Sequence, residues 1–148
     1  RNNVWWWRPL WNFVCESCDD FLTEKDMEKG YYNDDKKISK TKSLKISKRL
    51  SKLIADGTVD TLERANALAI ERAEVHNKEV RKEMDAISNA CEKEHGEMRA
   101  PANYPEPYYS QWSKAYEKED WTTSYPFYTN NVKDFATFCQ QSGGFTIC

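Results

Sequence analysis

A chain of 148 residues falls in the commonest size range for one domain and can bury roughly 68–70% of its unfolded surface. It is 39% hydrophobic and 31% charged, with a mean hydropathy of −0.89, yet six Trp, eight Tyr and six Phe supply large buried area per residue, so a small aromatic core under a charged helical surface is expected. No run of about 18 apolar residues encodes a transmembrane helix, and the segment from Arg1 does not read as a signal peptide.

Four of the six tryptophans fall within Trp5–Trp11, a density that marks this end as a packing or recognition centre. Arg8-Pro9 reads as a helix start, because proline is tolerated where its missing N–H would be orphaned anyway, and a first helix is expected from about Pro9 to Phe21. Thr23 with Asp26 forms a capping-box-like start for a second helix. Gly30 through Asp35 reads as a turn, and Ile38-Ser39 as the opening of a basic helix that Gly57 closes with a left-handed cap. Residues 36–52 hold eight of the 22 Lys/Arg and none of the 24 Asp/Glu, so the rest of the chain carries a net charge of −10. On a 100° wheel Lys42, Lys45, Lys48, Arg49 and Lys52 span about 80–200°, and Ile46, Leu50, Leu53 and Ile54 about 220–320°. One face docks and the other is cationic.

Residues 60–98 show the longest helical pattern, read as one long amphipathic helix or two collinear ones. Leu62, Ala65, Ala69, Ala73, His76, Val80, Met84, Ile87, Cys91, His95 and Met98 fall on one stripe of a rod on the order of 55 Å long. A compact domain of this size has a radius of gyration of about 15 Å, so the rod is expected to protrude, to fold back as a hairpin, or to pair with a second copy through its Ala-rich stripe. Residues 99–127 mix prolines with aromatics and read as an ordered connector with a short helix at about 108–119. A last helix is expected over about 130–141, with Val132, Phe135, Ala136 and Cys139 on its buried stripe, and then a short strand or packed tail at Phe145–Cys148. The predicted fold is a mainly α, irregular helical single domain over residues 1–148, with an aromatic core built by the tryptophan helix, the basic helix, part of the long helix and the last helix.

Candidate chemistry is sparse. Cys15-x2-Cys18 and Cys91-x3-His95 have the spacing of zinc-ligand pairs, but no glycine-bearing knuckle surrounds the first, and the second lies on the apolar stripe where cysteine acts as a small hydrophobe. They are weak metal candidates, and no cofactor is expected. Five cysteines, an odd number at irregular spacing, point to a reducing cytosol. Trp6 and Arg8, with Asn2, Asn3 and Asn33, form a candidate polar-aromatic ligand site, against which stands simple core packing for two of the four clustered indoles. No phosphate loop, nucleophile elbow or HExxH motif occurs.

The opening Arg1-Asn2-Asn3-Val4-Trp5-Trp6-Trp7-Arg8-Pro9-Leu10-Trp11, the segment Tyr31-Tyr32-Asn33-Asp34, and the tail Tyr125-Pro126-Phe127 with Asn131-Val132-x2-Phe135-x2-Phe138-x4-Gly143-Gly144-Phe145 together resemble a family of small uncharacterised phage and prophage proteins. The resemblance covers the two ends well and the middle poorly. It implies no activity, but it implies a setting: a phage or mobile-element accessory protein acting in the cytosol of a bacterial host. Such proteins, when they lack catalytic residues, more often work by binding, for instance by blocking a host or defence complex. The expected function is therefore a non-enzymatic protein that binds and modulates a bacterial protein or nucleoprotein complex, with Lys42, Lys45, Lys48, Arg49 and Lys52 as the contact and nucleic acid as a possible component of the partner. The alternatives are a small-ligand or nucleotide-sequestering protein using Trp6, Arg8 and Asn33, and a metal-dependent enzyme.

Overall fold

The computed structural model describes residues 4–148 and is mainly α-helical. The chain divides into two compact units, one made of the segments up to Leu68 and from Ser124 to Cys148, the other of Ala69–Thr123.

In the first unit α1 runs Val4–Ser17, α2 Glu24–Tyr32 and α3 Lys40–Ala55; α4, Thr58–His95, begins here, and α6, Thr129–Gln141, closes the unit. Two short strands, β1 (Lys36–Ser39) and β2 (Gly144–Ile147), pair antiparallel with Lys36 opposite Ile147 and Ser39 opposite Gly144. The expected tail strand is thus present. Its partner occupies residues read from the sequence as the opening of the basic helix, and that helix instead starts after Ser39, whose hydroxyl accepts from the Lys42 N–H. Ile38 is fully buried on the strand, so its apolar side chain serves the core without a helical turn.

Helix α1 corrects the expectation of a start at Pro9. It begins at Val4 and carries Pro9 as an interior residue, a position that costs about 3 kcal/mol through a lost hydrogen bond and a clash with the preceding turn. Tertiary packing offsets that cost. Trp7 and Trp11 are buried and stacked at 5.2 Å, their indole N–H groups donate to Gly30 O and Met27 O at 2.9 Å each, and Trp7 meets the Phe135 edge at 5.7 Å. Burying two such side chains contributes several kcal/mol on the scale of about 25 cal/mol per Å². The other two indoles, Trp5 and Trp6, are half-exposed.

The Thr23–Asp26 capping box is formed as the sequence predicts. Helix α2 then continues through Gly30, read as a turn, and ends at Asn33, which takes the left-handed conformation with φ 55°. Leu10, Trp11, Val14, Cys18, Ile38, Ile46, Leu50, Val59, Val132 and Cys139 form the fully buried centre of the unit. Helices α3 and α6 approach closely at Ser43, whose hydroxyl donates to Cys139 O at 2.6 Å. The predicted α6 stripe of Val132, Phe135, Ala136 and Cys139 is buried throughout.

In the second unit the remainder of α4 is met by the Pro-rich segment and by α5, Tyr108–Tyr116. This segment runs back along the helix. Tyr108 donates to Glu94, Lys118 Nζ lies 2.7 Å from Glu83, Arg81 lies 3.1 Å from Glu119, and the Asn77 carboxamide receives the Asp120 N–H and donates to the Asp120 carbonyl at 2.8 and 2.9 Å. Within this unit the long helix therefore folds against its own connector as a hairpin.

The stripe predicted for α4 is half right. Ala73, Val80 and Cys91 are buried and Met84 and Ile87 half-buried, but Leu62, Ala65, Ala69, His76 and His95 are exposed, and Met98 lies beyond the helix end and is exposed. The buried line runs instead through Val59, Ala73, Asn77, Val80 and Cys91, with Glu63 and Asn66 half-buried. Glu63 and Asn66 accept the backbone N–H groups of Thr129 and Phe127 at 3.2 and 2.8 Å. Hydrophobic periodicity is blind to a face whose contacts are carboxamide and carboxylate to backbone.

Candidate functional site

The basic segment does not present its charge as one uniform face. Asp26, buried at the start of α2, accepts from Lys36 of β1 at 2.7 Å and from Lys42 of α3, and its carboxylate also accepts the Thr23 N–H at 2.9 Å. Burial alone would raise this carboxyl, but the hydrogen bonds from Lys36, Lys42 and Thr23 outweigh it and hold it well below the usual carboxylate range. One anion thus ties α2, β1 and α3 together and consumes two cations. Lys42, expected at the contact surface, is a structural residue.

Four of the other α3 cations converge elsewhere. Phe21, in the turn after α1, is half-buried, with Lys45 Nζ 5.5 Å and Arg49 Cζ 5.7 Å from its ring centre. Arg49 also donates to the Ser17 carbonyl at the C-terminal end of α1 and to Asp20 at 2.8 Å. The hydrogen bond between them raises Arg49 and lowers Asp20 from their ordinary values, so both stay charged. Asp20, Phe21, Lys45, Lys48, Arg49 and Lys52 line a surface recess of about 570 Å³. The lining carries four cations and one carboxylate, so it is net positive even after Arg49 pairs with Asp20.

Of the five residues expected at a contact, Lys45, Lys48, Arg49 and Lys52 line one recess, whereas Lys42 is drawn to Asp26 and does not line it. The sequence pattern misses Phe21 and Asp20, which read only as the ragged end of a helix. The one available signal is an aromatic residue directly after Asp19-Asp20 in a polar turn.

The expected ligand set is split. Trp6 meets the Tyr128 ring edge-on at 6.4 Å, and its carbonyl accepts from Asn131 at 3.3 Å. Arg8 donates to the Tyr125 hydroxyl at 3.3 Å and lies 5.1 Å from the Tyr31 ring centre. Asn33 lines a different recess, of about 420 Å³, with Trp7 rather than with Trp6 or Arg8. Asn2 and Asn3 lie outside the described residues.

Among the described residues no group of three or more Cys, His, Asp or Glu side chains converges as a metal ion would require. Cys15 and Cys18 belong to the first unit, and Cys91 and His95 to the second. His95 is exposed and stands edge-on to Tyr108 at 6.1 Å, while His76 Nε2 is 2.8 Å from the Lys118 carbonyl oxygen. Burial pushes the Cys15, Cys18 and Cys139 thiols up to about 12, so they stay protonated at neutral pH, the opposite of what a nucleophilic thiolate requires.

Comparisons of the chain with protein-family models, with curated proteins and with solved structures return no match. No helix among the described residues is long and apolar enough to cross a membrane.

Proposed function

We propose that this is a non-enzymatic binding protein that engages an acidic surface of a bacterial protein or nucleoprotein complex through the recess around Phe21. The observation that carries this reading is the recess lined by Lys45, Lys48, Arg49 and Lys52, in which Lys45 and Arg49 stand against the Phe21 ring and Asp20 is the one acid in the lining. Cations of this kind steer association over a Debye length of about 8 Å at physiological salt, and an aromatic anchor supplies the desolvated contact that charge alone lacks. The resemblance to phage and prophage proteins supports a bacterial cytosolic setting and a modulating or anti-defence role.

The test is capture from bacterial lysate with the wild-type chain and with a Lys45→Glu, Lys48→Glu, Lys52→Glu variant, cross-linked at low and at high salt. Arg49 is left in place because it holds α3 to α1. One partner retained by the wild type and reduced tenfold or more in the variant, with unchanged circular dichroism, is the expected result. A partner retained equally by both removes this recess from the mechanism.

A further inference from the structure

The second recess, walled by α6 and β2 and edged by the end of α2, has a chemistry opposite to the first. Its volume of about 420 Å³ lies within the roughly 300–1,000 Å³ range of small-molecule sites. Its walls are aromatic. Phe135 and Phe138 lie near-parallel at 6.1 Å, and Phe145 stands against them at 5.7 and 5.2 Å, tilted by 80° and 60°. Trp7 also lines it, held in place by its stack on Trp11. Phe138 is 47% exposed on a helix whose other bulky apolar residues are buried, so a phenyl face is left to solvent at the mouth. Among the described residues the only charged side chain in the lining is Asp134, accompanied by the Asn33 and Asn131 carboxamides and the Thr146 hydroxyl, and no lysine or arginine contributes.

We propose that this recess binds a small planar heteroaromatic ligand whose ring edge carries paired N–H donors and which bears no phosphate, a chemistry represented by guanosine. Phenyl faces stack on any flat π-system at about 1–3 kcal/mol per ring. A carboxylate accepts two parallel N–H bonds at once and is the stronger acceptor for being charged. The same carboxylate, with no lysine or arginine in the lining to offset it, repels a phosphate. The recess therefore discriminates a nucleoside from its nucleotide, while the Phe21 recess favours anions.

The experiment is calorimetric titration of the full chain with guanosine, inosine and guanosine monophosphate, with indole fluorescence as a second readout because Trp7 lines the site. Guanosine is expected to bind saturably at one per chain. Inosine, which lacks the 2-amino group, is expected to bind about tenfold more weakly, and the monophosphate more weakly than guanosine. Asp134→Asn and Phe138→Ala, both at exposed positions, are expected to retain the wild-type circular dichroism spectrum and to weaken guanosine tenfold or more. Absence of saturable guanosine binding overturns the proposal, as does equal affinity for inosine or an unchanged affinity in Asp134→Asn. No residue is shared with the Phe21 recess, so its failure leaves the proposed partner-binding function standing.

Discussion

The indole of Trp11 occupies the space where a side chain on Gly30 would have to be: a β-carbon built there would lie 2.3 Å from Trp11 Cε2 and 2.5 Å from Nε1. Glycine is required by the close passage of α1 against the last turn of α2. Gly30→Ala gains about 1 kcal/mol of helix propensity and forces a fully buried ring to move, an overpacking that costs about 1–3 kcal/mol or more. A net loss of up to about 2 kcal/mol by urea denaturation is expected. A variant as stable as the wild type would show that the indole has room to retreat.

Asp26 makes the fold sensitive to acid. Its carboxyl is held below its ordinary value in the folded chain, so its contribution is fully present above the unfolded value of about 3.9 and is lost progressively as the pH falls toward the folded value. Asp26→Asn removes the charge that two partly exposed lysines share and is expected to cost about 2 kcal/mol at pH 7. Stability measured between pH 2 and pH 7 is expected to fall more steeply below pH 4 in the wild type than in the variant. Parallel curves would assign the acid sensitivity to other carboxylates.

Asn77 closes the hairpin of the second unit through both atoms of its carboxamide. Asn77→Ala leaves the Asp120 N–H and carbonyl without their partner in a half-dry setting, at a cost of about 1–3 kcal/mol. Hydrogen exchange offers the more specific check, because the Asp120 amide is expected to lose its protection. Unaltered protection would mean that other contacts hold the connector to α4.

Thiol reactivity separates the five cysteines. Cys148 is exposed, whereas Cys18, Cys91 and Cys139 are buried and Cys15 is half-buried with its thiol raised to about 12 by burial. Labelling with an aromatic disulfide reagent at pH 7.5 is expected to show one fast thiol per native chain, abolished by Cys148→Ser. A second fast thiol would mean that the α1 end opens readily in the native state.

Much of the architecture was legible from local physics alone. The Thr23–Asp26 cap, the Gly57 cap with its φ of 83°, the α6 stripe, the long helix and the burial of two of the four clustered indoles all follow from propensity, capping and periodicity, which act over a few residues. The clustering of Lys45, Lys48, Arg49 and Lys52 follows from helical spacing in the same way.

What the tertiary structure decided is where distant segments meet. Pro9 sits inside α1 because Trp7 and Trp11 find Gly30 and Met27 across α2; Lys36–Ser39 is a strand because β2 supplies its partner from more than a hundred residues away. Lys42 leaves the cationic face because Asp26 lies buried beside it, and Phe21 joins that face because Arg49 reaches back to the end of α1. The sequence determined which helices form and which faces carry charge. Ion pairs, carboxamide-to-backbone bonds and strand pairing depend on separations that no local periodicity encodes, so only the folded chain sets which charges are spent on stability and which remain exposed.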